Sequence, residues 1–128
     1  MAKQQDDPVA REAEREAVMA KLRRYRDRFT ELVNLRGDKL TLAREEKQRL
    51  QQLLKGLKED LAADCKRSRD ATAGYEATCF YPAVQEAHAH IHVPWNSNPL
   101  SEKWFSEVYT ARDDISYYLS QLSKEAGD

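Results

Sequence analysis

The chain has 128 residues, the usual size of one domain. Its 21 Lys and Arg stand against 22 Asp and Glu, and the resulting net charge of -1 argues against a dedicated polyanion binder while leaving room for a local basic patch. No apolar run is long enough to span a bilayer. Residues 1–8 are polar and lack the core of a secretory signal, so the expected setting is the cytoplasm, with Cys65 and Cys79 as free thiols.

Gly and Pro number only four each in a chain rich in Ala, Leu, Glu, Lys, Arg and Gln, which predicts helix throughout. Residues 1–8 read as a disordered tail and 9–126 as one helical-bundle domain. Pro8 suits a first helical turn and Asp7 its cap. Val18, Leu22, Tyr25, Phe29 and Leu32 then recur at fours and threes, the stripe of an amphipathic helix that runs to Gly37. Gly37 fits the left-handed closing residue, with Arg36 facing the negative end of the helix dipole. Asp38 or Thr41 is the expected cap of a second helix, whose stripe is Leu50, Leu54, Leu57, Leu61 and Cys65, with Leu53 beside it. The connection is short, so the two helices should form a long antiparallel hairpin. Gly56, inside the second helix, marks either a close helix contact or an exposed accident.

The second helix should end within 69–74. A shorter helix over about 82–91 follows, with Phe80, Val84, Ala87 and Ile91 on its buried side. Two prolines and two asparagines make 93–99 a loop. Asn98, or alternatively Ser101, caps the last helix, in which Leu100, Trp104, Val108, Ala111, Ile115, Tyr118 and Leu122 repeat as a stripe that ends before Gly127. The fold class is therefore an all-α bundle of about four helices built on the hairpin.

Three patterns carry candidate chemistry. All the histidines fall at His88, His90 and His92. On a strand the three would share one face as a metal triad, but no strand partner exists in the sequence. On a helix only His88 and His92 align, at i, i+4, which gives two ligands for zinc or another divalent transition metal. The alternative is polar residues at a helix C-terminus, with no cofactor. In the second pattern, Lys21, Arg24 and Arg28 share a face of the first helix, and Lys66, Arg67 and Arg69 lie at the far end of the second. An antiparallel hairpin would bring the two groups together as a surface for phosphates, unless carboxylates such as Glu14, Glu16, Asp27 and Glu31 answer them. The third pattern is aromatic: Trp104 and Tyr118 belong to the stripe, while Trp95, Phe105, Tyr109 and Tyr117 lie off it and suit a protein interface.

No phosphate loop, serine elbow or carboxylate–His pair of a di-iron bundle is present. The expected function is that of a non-enzymatic assembly module, a subunit or adaptor that binds other protein chains or itself as a homodimer. A nucleic-acid-contacting accessory subunit using the basic face is the alternative, and a metal-binding helical protein a third.

Overall fold

The structure, a computed structural model, describes residues 8–68 and 73–127. The suggested Asp7 cap and Arg69 lie outside the described residues. Helix α1 spans Pro8–Arg36 and buries Val18, Leu22, Tyr25, Phe29 and Leu32, together with Met19. Gly37 closes it at a φ of 49°, and its N–H donates to the Val33 carbonyl at 2.8 Å. A left-handed residue here costs little only for glycine.

Helix α2 spans Arg44–Arg67 and buries Leu50, Leu54, Leu57 and Leu61. Its start corrects the expectation of an Asp38 or Thr41 cap. The N-cap is Ala43, which has no side-chain acceptor, and the Glu46 carboxylate reaches back to accept the Ala43 N–H at 2.8 Å. The segment 37–43 is used instead to tuck Leu42 into the core. At the other end Ser68 closes the helix, its hydroxyl donating to the Cys65 carbonyl at 2.6 Å.

Chain direction resets at Gly74, with φ at 78°. A π-helical turn, Glu76–Phe80, then feeds directly into α3, Tyr81–His90. The Glu14 carboxylate of α1 faces the start of this segment and accepts the Glu76 N–H at 3.4 Å. Phe80, Ala83, Val84, Ala87 and Ile91 are buried.

The expected loop over 93–99 is helical through Asn96 and irregular only over 97–99. Helix α4 spans His92–Asn96, separated from α3 only by the turn at Ile91. Pro94 is tolerated because it sits in the first turn, where no intrahelical N–H bond is required. The Trp95 N–H donates to the Ile91 carbonyl at 3.1 Å and the Asn96 side-chain amide to that of His92 at 3.1 Å. Helix α5 spans Glu102–Gly127, reaching Gly127 rather than stopping before it. Of the two suggested caps it uses Ser101, whose hydroxyl accepts the Trp104 N–H at 3.1 Å. Asn98 instead turns the chain ahead of it by accepting the Leu100 N–H at 2.9 Å.

Helices α1, α2, α3 and α5 form an all-α bundle in which each runs antiparallel to its two neighbours. Tyr25 meets Asp64 and Arg28 meets Asp60 across α1 and α2. Ser68 meets Gln85 across α2 and α3, and Glu86 meets Tyr118 across α3 and α5. Arg15 at one end of α1 reaches Leu122, and Arg36 at the other reaches Leu100. The hairpin of α1 and α2 is present, yet α1 packs more extensively on α5 than on α2. The α5 stripe is wide enough for two neighbours because Leu119 is buried as well as Val108, Ala111, Ile115 and Leu122, while Tyr118 is only half-buried.

Two arginines fasten the α1–α5 seam. Arg36 donates from Nε to the Pro99 carbonyl at 3.1 Å, from Nη2 to that of Leu100 at 3.0 Å, and from Nη1 to that of Gly37 at 2.8 Å. Arg15, only 3% exposed, donates to the Leu122 carbonyl at 3.4 Å and pairs with Glu12 and Glu16. No buried side-chain nitrogen or oxygen among the described residues lacks a partner.

Arg36→Met is expected to destabilise the protein by about 2–3 kcal/mol, the scale for losing hydrogen bonds from a charged donor to partly buried acceptors, measured by urea denaturation. Arg36→Lys should recover less than half of that loss, because an ammonium cannot serve three divergent carbonyls as a planar fork does. The glycines should separate. A Cβ at Gly74 would lie 2.6 Å from a Glu14 carboxylate oxygen, at a backbone angle that L-residues avoid. Gly74→Ala should therefore cost about 1–2 kcal/mol. At Gly56 an added Cβ meets only the Arg28 guanidinium, at 3.6 Å. Gly56→Ala should raise stability, by up to about 1 kcal/mol.

Candidate functional site

The basic residues do converge. Lys21, Arg24 and Arg28 of α1 and Arg67 at the end of α2 line one cleft of about 550 Å³, with Tyr25, Phe80 and Tyr81 forming its inner wall. Lys66 is exposed. The carboxylates that answer these cations are not the ones the sequence suggested. Glu16 pairs with Arg15, Asp27 with Arg26 and Glu31 with Arg49, while Glu14 faces Gly74. The cleft cations meet carboxylates from other elements. Arg28 pairs with Asp60 at 2.8 Å, Lys21 with Glu76 at 3.1 Å, and Arg67 with Asp64. Lys21 also stands 4.8 Å over the Phe80 ring. Arg24 has no carboxylate partner among the described residues.

Asp64 is fixed from two sides, by Arg67 and by the Tyr25 hydroxyl, which donates to it. Burial and the Asp64 carboxylate together push the Tyr25 phenol far above its ordinary value.

The histidines fall where the helical reading places them. His88 and His92 stack edge to face, with ring centroids 5.3 Å apart across the Ile91 turn. Burial, followed by the neighbouring His92 and Lys58, lowers the His88 pKa. Among the described residues no group of three His, Cys, Asp or Glu side chains is arranged to hold a metal ion. His90 has a different role that the sequence did not reveal. Its Nδ1 lies 2.8 Å from Glu107 and its Nε2 3.2 Å from Asp114, so the ring bridges two α5 carboxylates one heptad apart.

The four aromatic interface candidates separate. Phe105 and Tyr109 belong together, with rings 5.8 Å apart. Phe105 is covered by the Arg36 guanidinium at 4.7 Å and Tyr109 by that of Arg112 at 4.3 Å. Tyr117 is eight residues beyond Tyr109 and hence turned by about 80° around α5. It rests edge-on against Tyr118, whose hydroxyl donates to Glu86 and whose pKa is pushed up to about 12 by burial and that carboxylate. Trp95 lies on α4, with the Lys58 ammonium of α2 at 4.3 Å from its ring. A single patch of all four therefore does not form.

Trp95 belongs instead to a groove of about 680 Å³ between α2 and α4. Leu50, Leu54, Pro94, Pro99 and Trp104 supply its apolar lining, and Gln48, Gln51, Gln52, Ser97 and Lys55 its polar lining. No His, Cys, Asp or Glu lines it. The sequence hinted at it only through Trp95 beside two prolines. The glutamines of α2 read as ordinary solvent-facing residues.

The buried phenol sets a pH dependence. A raised folded-state pKa stabilises the protein below the unfolded phenol value of about 10, and this contribution is lost as pH rises above it. The other tyrosines with resolved shifts, Tyr75 and Tyr118, act in the same direction. Urea denaturation between pH 8 and 11 should show falling stability above about pH 10. Tyr25→Phe should start lower by about 1 kcal/mol at neutral pH and fall less steeply.

The chain matches no family model, no curated protein and no solved structure.

Proposed function

We propose that this protein is a non-enzymatic helical module that binds an extended segment of another protein chain in the α2–α4 groove. The observation that carries this reading is the lining of the groove. A 42%-exposed Trp95 stands beside an apolar floor, and three glutamine amides stand along one wall. Side-chain amides donate to and accept from peptide backbone groups, whereas an exposed indole beside leucines and prolines accepts apolar side chains. A groove of this volume and mixed lining suits a short peptide. Gln48, Gln51, Gln52 and Ser97 give the groove neutral hydrogen-bonding groups of the kind that pair with a peptide backbone.

Fixed geometry also favours the reading. α2 runs unbroken for 24 residues along one wall, and the Lys58 ammonium of α2 stands 4.3 Å over the Trp95 ring of α4. A pre-formed groove loses little conformational freedom on binding. The occupant could be supplied by another protein or by a second copy of this chain, and mass determination separates the two.

Selection from a displayed random-peptide library against the full chain is expected to enrich sequences with an apolar anchor. Calorimetry should then show that Trp95→Ala weakens the enriched peptides at least about tenfold, the loss of one modest hot spot, with an unchanged unfolding midpoint. Gln51→Ala should weaken them less. Failure to enrich any peptide, or binding indifferent to both substitutions, would sink the proposal. Light scattering adds the second arm: a dimer that Trp95→Ala converts to monomer identifies the occupant as another copy.

A further inference from the structure

The cationic cleft lies at the other end of α2 and has the opposite chemistry. Lys21, Arg24 and Arg28 follow one another at i, i+3 and i+7, so α1 presents them in a row along one side. Arg67 approaches from α2. Arg24 is exposed and has no carboxylate partner among the described residues, which leaves its planar fork of donors free for an oxyanion. The Lys21–Glu76 and Arg28–Asp60 pairs are substantially open to solvent, and such pairs are weak enough to exchange for a better acceptor.

The cleft is not uniformly positive, and this limits what it fits. Its lining carries four cations and two carboxylates, Asp60 and Asp64. Glu76 answers Lys21 as well, so the charges sum to a single positive excess centred on the unpaired Arg24, which suits one phosphate monoester and not a longer polyanion. A simple anion would leave the carboxylates facing it with nothing to gain. A nucleic-acid strand would need a run of cations along its track, and here carboxylates interrupt the row. Asp64 is already occupied by Tyr25 and Arg67. Asp60 is 60% exposed and has acceptor capacity left. Tyr81, half-buried on the same wall, offers aromatic surface.

We infer that this cleft is a mononucleotide site, in which Arg24 and Lys21 take the phosphate, Asp60 accepts N–H donors from the base edge, and Tyr81 contacts the base. A ligand with an anionic end, a flat ring and outward N–H donors matches Lys21, Arg24, Asp60 and Tyr81 together, and about 550 Å³ is room for one such molecule. The site is independent of the α2–α4 groove.

Calorimetry on the full chain at low salt, with GMP, UMP, guanosine, inorganic phosphate and a single-stranded oligonucleotide as separate probes, tests the assignment. GMP is expected to bind saturably, and more tightly than either guanosine or inorganic phosphate alone. Arg24→Gln should weaken GMP about tenfold or more, the effect of losing charge-assisted hydrogen bonds, with an unchanged unfolding midpoint. Asp60→Asn should erase a preference for GMP over UMP. Trp95→Ala should change nothing. The inference is overturned if GMP gives no saturable binding at millimolar concentration. It is equally overturned if inorganic phosphate binds as well as GMP, which would reveal a plain anion patch, or if affinity grows with oligonucleotide length, which would reveal a polymer surface.

Discussion

The fold depends on the seam between α1 and α5, which is pinned at both ends by arginines of α1 that donate to backbone carbonyls. Arg36 holds the entry to α5 through Pro99 and Leu100, and Arg15 holds its far end through Leu122. The two arginines are 21 positions apart and the carbonyls they meet are 22 apart, so the two helices keep one antiparallel register over roughly 30 Å. Carbonyl acceptors leave each guanidinium with its full charge. Glu12 and Glu16 balance it for Arg15, and the aromatic face of Phe105 accommodates it for Arg36. Once α5 is fixed, its wide stripe offers a second side to α3, and α2 closes the ring of four.

This arrangement explains what the sequence revealed and what it concealed. The stripes of α1, α2 and α5 were legible because burial on a long helix repeats at 3.6 residues, and nearly every position named from that period is buried. Gly37 was legible because few residues adopt positive φ. Leu119, Leu42 and the role of Arg15 were not. Leu119 widens a stripe already accounted for, Leu42 lies outside any period, and a buried arginine looks like a solvated one until its carbonyl partner is known. The α2 cap misled because Asp38 and Thr41 have the right chemistry but lie five and two residues ahead of Ala43, before a turn that must first deliver Leu42 to the core. Proline and asparagine density misread 93–99, since a proline in a first turn ends nothing.

The surface chemistry was legible by composition more than by arrangement. The meeting of Lys21, Arg24 and Arg28 with Arg67 followed from the antiparallel hairpin, because helix direction alone brings those ends together. The carboxylates that face them come from Asp60, Asp64 and Glu76, on elements whose relative rotation no local pattern encodes. Of the aromatic residues read as lying off the core stripe, Trp95, Tyr109 and Tyr117 are exposed and Phe105 is half-buried against the core, and they belong to separate neighbourhoods. α2 thus contributes to two concavities of contrasting character. One, around residues 48–55, is amide-lined and carries a single cation, Lys55. The other, around residues 60–67, is densely ionic.

The two indoles of the chain make the amide-lined groove self-reporting. Trp104 is 1% exposed and emits from an apolar interior, while Trp95 stands at the surface with an ammonium over its ring. A water-soluble collisional quencher reaches the second chromophore and not the first. Any occupant of the groove that shields Trp95 or displaces Lys58 therefore changes the accessible fraction of the emission, so occupancy can be followed optically in the unlabelled protein.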